Sequence, residues 1–493
     1  MSHLVILPIL LPALFAVLLL LHPLTGSAQL RRSYSVAAML LTFLVSSVLL
    51  WQQTNVPAQH YLLGNWAQPF GILLVADQLS AMFVWLTSLL ALAVTLYSCG
   101  GDDEKGAYFH PLLHFLLMGL NGAFLTGDLF NLFVFFEVLL ISSYGLLVHG
   151  GGKKRIQAAL HYVVLNLVGS ALFLLALALL YAMLGSLHMA DMAQRISLLE
   201  PSQALAVKAA AALLLIVFGL KAALLPFHFW LPAAYSQANA SVAAIFAVMT
   251  KVGIYSLLRV FGLLFGATAG TLSGYGDALL WWGGLLTMLL ATAMVLAAVD
   301  LKGMAAALVL LSAGTLLTAL GSGVAEVKAA ALLYAIHSSW IGAVWFLLAD
   351  QIGQQRGSVG DRLVPGPRLV QPQLYGWLFA LSALVVIGMP PFSGFIAKLW
   401  LLQGITSHPA GMFLIAVLLL SSLAVLIALS RAGSMLFWRA NSPAQALNPA
   451  SRLPVSAVGL LLLSGLTLVL CGNWWTQFCL DAIAQLQAGV GVH

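Results

Sequence analysis

Long apolar runs recur from one end of this 493-residue chain to the other, separated mostly by short loops. A helix of about 20 apolar residues spans the roughly 30 Å hydrocarbon core of a bilayer. Backbone groups at that depth must find partners within the structure, which leaves only helices or a closed barrel. None of the runs alternates polar and apolar residues as a barrel strand does. The expectation is an all-α polytopic membrane protein of about fourteen transmembrane helices. The runs lie near 4–22, 34–51, 71–98, 109–126, 129–148, 158–185, 205–225, 240–262, 278–299, 303–321, 329–349, 374–404, 410–437 and 455–474. Only 7% of the residues are charged, against about 25% in soluble domains.

The first run has only His3 ahead of Leu4 and is long, which separates it from a cleavable signal peptide. If the N-terminus lies outside, the odd-to-even loops are cytoplasmic. Those loops hold 13 Lys and Arg residues and the opposite side holds 4, the asymmetry expected of a cytoplasmic face. Both termini are then expected on the outer side of a bacterial inner (cytoplasmic) membrane. The same loop residues account for the formal charge of +6, so nucleic-acid binding need not be invoked. Cys99, Cys471 and Cys479 have no His or Cys neighbours at metal spacing, and no glycine-rich loop precedes a Lys-Ser/Thr pair. No metal and no cofactor are expected. The loops near 350–373 and 438–454 are too short to be domains, so the energy source must be an ion gradient or a partner subunit.

Two segments interrupt the helical pattern: Leu225-Pro226-Phe227-His228-Phe229-Trp230-Leu231-Pro232 and Gly388-Met389-Pro390-Pro391-Phe392-Ser393-Gly394-Phe395. Proline removes a backbone donor and clashes with the preceding turn. Each break has a lysine close by, Lys221 before the first and Lys398 after the second. Counted from starts near 109 and 278, Pro226 and Pro390 lie about 117 and 112 residues in, as matched interrupted helices in a repeated transporter would. Five spans per unit makes these two inverted five-helix repeats, each containing a broken helix. The expected division is 1–105 as an N-terminal three-helix segment, 106–265 and 275–440 as the two repeats, and 450–493 as a C-terminal helix and tail.

Glu137, Lys221, Lys251 and Lys398 all stand within apolar runs. A charge at the bilayer centre costs about 2.5–3.5 kcal/mol on insertion scales, and such residues mark ion or proton pathways by default. Aromatics flank Glu137 and disfavour a bare charge there. A lysine on another helix is its expected partner; a purely structural buried ion pair is the other reading. Lys221 and Lys251 both read as mid-helix residues. Tyr255 and Arg259 follow Lys251 at i+4 and i+8 on one polar face, with Arg259 near enough to the helix end to snorkel. His228 is either a proton relay or a histidine satisfied at the break. His337 offers the same two readings, since histidine titrates near neutral pH. Asp77, Asp128 and Asp300 are either pathway mouths or ordinary helix-terminal acids. Glu137, Lys221, Lys251, His337 and Lys398 fall on five helices, a row along the membrane midplane rather than a column through it.

The run Thr126-Gly127-Asp128-Leu129-Phe130-Asn131 leading to Glu137, the two broken segments, and Thr250-Lys251-Val252-Gly253-Ile254-Tyr255 together resemble the antiporter-like subunits shared by Mrp-type cation/proton antiporters and respiratory complex I. The resemblance covers nearly the whole chain and is greatest to the Mrp D (Mnh or Pha D) subunits. The chain shows neither the long extra C-terminal region of the Mrp A subunit nor the lateral helix of the largest complex I antiporter-like subunit; about 19 residues follow the last expected span. The resemblance implies that Glu137 and Lys221 pair and switch a proton channel, that Lys251 lies at its centre, and that Lys398 is its terminal residue. His337 matches a position that is often histidine. It also implies a hetero-oligomer of six or seven different membrane subunits, exchanging protons for Na⁺ or K⁺, in which this chain is a transporter subunit and not an enzyme. The alternative is a proton-pumping membrane subunit of a complex I-like NADH:quinone oxidoreductase or hydrogenase, although nothing here marks a flavin, iron–sulfur or NADH site. A stand-alone solute transporter would not need so many lysines in a row.

Overall fold

The computed structural model describes residues 3–21, 26–66, 71–200, 203–440 and 452–489. Eleven helices among them are long and apolar enough to cross a membrane, and three shorter apolar ones, Leu7–Leu19, Phe109–Leu125 and Pro372–Ile387, stand beside them. In chain order the helices are α1 (Leu7–Leu19), α2 (Ala28–Gln52), α3 (Gln78–Ser98), α4 (Phe109–Leu125), α5 (Leu129–Val148), α6 (Lys153–Leu184), the short α7 (Met189–Ser197), α8 (Ala204–Lys221) and α9 (Trp230–Gln237). They continue as α10 (Ala240–Leu264), α11 (Asp277–Ala297), α12 (Leu301–Gly321), α13 (Ala325–Gln355), α14 (Pro372–Ile387), α15 (Ser393–Gly404), α16 (Gly411–Gly433), α17 (Arg452–Leu470) and α18 (Gly472–Gln487).

Aspartates set several helix starts. Asp77, Asp128 and Asp300 each accept a hydrogen bond from a backbone N–H in the first turn, of Ser80, Asn131 and Gly303, satisfying donors that the helix itself cannot. All three are therefore helix-terminal acids, although Asp77 has a second task described below. At the other end, Gly185 and Gly388 close α6 and α14 with φ of +67° and +86°, left-handed values that glycine adopts without a Cβ penalty.

Burial sorts the helices into centre and perimeter. The whole apolar window of α10 and of α13 is buried, and 94% of that of α12, against 22% for α17 and 39% for α2 and α6. Lipid offers no hydrophobic drive between helices, so close backbone approach does the packing. At the α11–α12 seam a Cβ built on Gly314 would stand 2.8 Å from Met288 N.

Three features differ from the sequence expectation. Residues Leu73–Ala76 are not the start of a helix but a strand, paired antiparallel with Gln59–Leu62; its Leu-Leu-Val run is apolar enough to pass for a helix and too short to be one. The tail after the last expected span forms α18, which buries Trp475, Phe478, Cys479, Ile483 and Leu486; its spacing is helical, but its polar face hid it from a search for continuous apolar runs. Lys221 is not mid-helix but the last residue of α8. The loop expected near 438–454 lies mostly outside the described residues, as do both chain ends.

Candidate functional site: lysines beside helix breaks

Helix α8 stops at Lys221, several residues before Pro226. Ala223 then takes φ of +59°, a left-handed conformation that costs a non-glycine residue about 1–3 kcal/mol and persists where surrounding structure enforces it. The Leu220 carbonyl at this end accepts from the Ala223 N–H at 3.2 Å and from Trp230 Nε1 at 3.0 Å. The N–H of Leu225 is held by Thr287 Oγ1 at 3.0 Å. Lys221 is 6% exposed. Its ammonium donates to Asn166 Oδ1 at 2.8 Å and stands 5.7 Å from the centroid of the Phe136 ring.

Glu137 does not take Lys221 as a direct ion-pair partner. Its Oε1 accepts from the hydroxyl of Ser170. Ser170 and Asn166 lie one turn apart on α6, so this helix holds the carboxylate with one side chain and the ammonium with the other. Glu137 remains close enough to act on Lys221 electrostatically. The direct pair expected from the sequence is thus replaced by one in which α6 supplies a neutral partner to each group, although α5 and α8 meet beside it through Phe136 and Phe218.

Lys251 has no exposure at all and donates to Ser312 Oγ on α12 at 2.8 Å. Its helix is also interrupted, without proline or glycine as a warning. Around Ala247 and Val248 the hydrogen bonds tighten to i, i+3, including Lys251 N to Val248 O at 2.9 Å. A π-turn follows at Leu257–Phe261; such departures inside helices often mark functional positions. Glycine brings this helix against the end of α8: a Cβ on Gly253 would lie 2.6 Å from Ala222 N and 2.8 Å from Lys221 C. Gly253→Ala is therefore expected to push α10 off the Lys221 backbone, at about 1–3 kcal/mol of overpacking. Gly262→Ala, which meets only the flexible end of Leu486 at 3.1 Å, is expected to cost less. Melting of the two purified variants side by side checks the order, and equal losses would contradict it.

At the second break α14 ends at Ile387. Lys398, on α15 beyond the prolines, reaches back to the carbonyls of Ile387 at 2.9 Å and Val386 at 3.3 Å, and to Ser422 Oγ at 3.0 Å. The negative end of the α14 dipole and its unpaired carbonyls favour a cation there. His337, 3% exposed, shares a hydrogen bond of 3.0 Å between Nδ1 and Ser393 Oγ at the start of α15. It lines a cavity of about 170 Å³, and both Lys251 and Lys398 act on it electrostatically. His228 is half-buried in the turn after Pro226. Its Nδ1 is buried without a partner, and no hydrogen bond joins it to Lys221.

Two other cations, Arg259 and Lys302, are neutralised differently, whereas the buried Arg356 donates only to the backbone carbonyls of Gly360, Arg362 and Val364. Arg259, 3% exposed, and Asp77, 1% exposed, form a two-pronged pair at 2.5 and 2.7 Å, with Arg259 Nε on Tyr255 Oη at 3.0 Å. Arg259 does not snorkel. Lys302 pairs with Asp350 at 2.9 Å, a carboxylate that also accepts from Tyr97 Oη at 3.0 Å. Lys221, Lys251 and Lys398 have only neutral hydrogen-bond partners. Their ligands Asn166, Ser312 and Ser422 were missed in the sequence. A lone Asn and Ser at i and i+4 inside the apolar run of α6 was the available signal; single serines in apolar helices carry none.

Residues 126–426 match the family model described as NADH:quinone oxidoreductase/Mrp antiporter, transmembrane. The chain is 41% identical over 476 residues to the D-type subunit of a probable K⁺/H⁺ antiporter of Rhizobium meliloti (strain 1021), covering 89% of this chain and 87% of that protein. It is 36% identical over 491 residues to the D-type subunit of the Na⁺/H⁺ antiporter of Bacillus subtilis (strain 168), covering 98% and 97%. The solved Mrp complex from Dietzia sp. DQ12-45-1b contains a chain that superposes with a TM-score of 0.87 at 24% identity, over 99% of this chain and 98% of that one; that likeness is one of fold.

Proposed function

The chain belongs to the NADH:quinone oxidoreductase/Mrp antiporter family, and from that premise we propose that it is the proton-translocating D-type subunit of a multisubunit Na⁺/H⁺ or K⁺/H⁺ antiporter. The observation that carries this reading is the contrast between two ways of burying charge. Arg259 and Lys302 face carboxylates, which fixes each as a permanent cation; Arg356, held by carbonyls alone, is kept charged by the guanidinium's own basicity. Lys221, Lys251 and Lys398 face an amide, hydroxyls and carbonyls, groups that tolerate either the ammonium or the neutral amine. Loss of a proton from any of the three leaves no unpaired carboxylate among its hydrogen-bond partners.

The row would then work as follows. Glu137 favours the charged form of Lys221 through space, and Ser170 and Asn166 hold the two at a set separation. A shift of α6, or protonation of Glu137, removes that support and frees a proton toward Lys251 and onward by way of His337 to Lys398. Residues 106–265 and 275–440 would be the two translocating units, with His228 as a subsidiary group at the first break. Na⁺ or K⁺ would need oxygen ligands, such as broken-helix carbonyls, here or in a neighbouring subunit. The excess of Lys and Arg on one set of loops supports an orientation with both termini outside the bacterial inner membrane.

Inside-out vesicles from cells lacking their own antiporters test the proposal. The chain is expressed alone and with its operon neighbours, and an imposed proton gradient is challenged with Na⁺ or K⁺. Collapse is expected only with the neighbours present, and the cation that produces it names the substrate. Because the family also includes subunits of NADH:quinone oxidoreductase, no response to either cation in assembled vesicles would transfer the same row to a redox-driven pump.

A further inference from the structure

Helix α4 packs against α5 and α10, which carry Glu137 and Lys251, yet on its other side the seam with α2 encloses a file of titratable groups that shares no hydrogen bond with the lysine row among the described residues. Arg32 donates from Nε and Nη2 to the Asp103 carboxylate at 2.7 Å each, and from Nη2 to Glu104 at 2.8 Å. Asp103 Oδ2 is 3.2 Å from His110 Nε2. His110 Nδ1 is 3.0 Å from Ser35 Oγ, and Ser35 Oγ is 3.1 Å from His114 Nε2. Ser35 and His114 have no exposure, and Asp103 and His110 have 1%. The file enters from a partly exposed surface at Arg32 and Glu104 and stops inside the protein, where His114 Nδ1 is buried without a partner.

Carboxylate chemistry sets the direction of every bond in the file. Burial opposes the charge on Asp103, but hydrogen bonds from His110 and Arg32 outweigh it and hold the carboxyl below the usual range. An anion there requires Nε2–H on His110. His110 Nδ1 is then an acceptor for the Ser35 hydroxyl, and Ser35 Oγ an acceptor for His114 Nε2–H. His114 Nδ1 is left as a bare basic lone pair in the interior. A tie that only held two helices together would close both of its ends; this one is open at the buried end.

We propose that the α2–α4 seam is a second proton-transfer site, separate from the lysine row, with His114 Nδ1 as its interior terminus and Asp103 as its surface terminus. A proton from water reaching His114 Nδ1 makes an imidazolium, which passes its Nε2 hydrogen to Ser35 Oγ. Ser35 gives its own hydrogen to His110 Nδ1, and His110 gives its Nε2 hydrogen to Asp103, which releases it to solvent beside Arg32 and Glu104. In each pass one proton enters and one leaves and only N–H and O–H bonds change; the pass leaves both imidazoles in the opposite tautomer, which ring rotation resets before the next. Two turns beyond His114 on the same face of α4, Asn121 Oδ1 is also buried without a partner, marking a direction from which water would arrive. Around the pair, α2 contributes Arg32 and Tyr34, the end of α3 Cys99, and the following turn Asp103 and Glu104; the titratable side chains of α5, Glu137 and Tyr144, turn instead to Ser170 and Tyr162 on α6, and α1 contributes no titratable group, only the Phe15 ring 6.3 Å from that of His114.

The test uses the assembled complex in lipid, with Ser35→Ala, His114→Gln and, as a control, the exposed His161→Gln. Ser35→Ala breaks the relay while leaving both imidazoles. In both seam variants the pH of half-maximal cation/proton exchange is expected to move by about half a unit or more, with no movement in the control. Profiles that superpose on the parent in both seam variants would overturn the proposal, and so would failure of both to assemble, which would make the file a structural tie. Infrared difference spectra of complex labelled with ¹³C-histidine give a readout that does not depend on the antiporter reading. An imidazolium band lost in His114→Gln but kept in His161→Gln supports the site even where no exchange is seen. A band unchanged by His114→Gln refutes it even where exchange is robust.

Discussion

Replacing Lys221 by arginine is expected to abolish cation/proton exchange in the assembled complex as thoroughly as replacing it by alanine, a fall of about 10²-fold or more. Arginine keeps the positive charge and supplies donors for Asn166, so a role limited to charge or to hydrogen bonding would survive the change. It cannot give up a proton under these conditions, so a carrier role would not. Lys221→Ala removes both properties, and assembly of both variants is checked on native gels before transport is measured. Exchange retained by Lys221→Arg would reduce this lysine to an electrostatic partner of Glu137, and normal exchange in a correctly inserted Lys221→Ala variant would remove it from the pathway altogether. Glu137→Gln tests the other side of α6. It keeps an acceptor for Ser170 while removing the charge, and is expected to slow exchange without loss of the subunit.

The largest effect on stability is expected at Asp77 and Arg259. Neither is more than 3% exposed, and breaking a buried pair by removing one partner costs about 3–5 kcal/mol, because the other charge is left uncompensated. Asp77→Asn or Arg259→Met is therefore expected to deplete the subunit from the membrane and lower its melting temperature in detergent. The network extends the damage, since Arg259 also holds Tyr255, whose hydroxyl donates to the Phe124 carbonyl at 2.5 Å. The double variant Asp77→Leu, Arg259→Met is expected to recover much of the loss, as apolar replacements of buried ion pairs often do. A double variant as unstable as either single one would show that the pair does more than neutralise itself.

The sequence readings that held and those that did not separate by physical cause. Membrane-spanning helices were legible because a bilayer demands long apolar runs, and a run is a local property of the chain. The neighbourhoods of both breaks were legible through Pro226, Pro390 and Pro391, for the same local reason. Strand Leu73–Ala76 was misread because a short apolar stretch fits either geometry, and α18 escaped because it is amphipathic. The interruption of α10 at Ala247 and Val248 had no local sign, since neither proline nor glycine marks it.

Which residues of the row carry unusual charges could be read from the chain alone: a lysine or glutamate inside an apolar run is conspicuous whatever surrounds it. What each of them touches could not be read. Asn166 lies 55 positions from Lys221 and Ser312 lies 61 from Lys251, and Asp77 meets Arg259 across 182. Nothing local in the sequence distinguishes the lysines held by neutral groups from the cations locked to carboxylates. On the proposed reading, that distinction separates a charge free to move its proton from one that holds the fold together. Only the packing of the helices decides it, because burial makes every charge require a partner and the fold determines which partner is within reach.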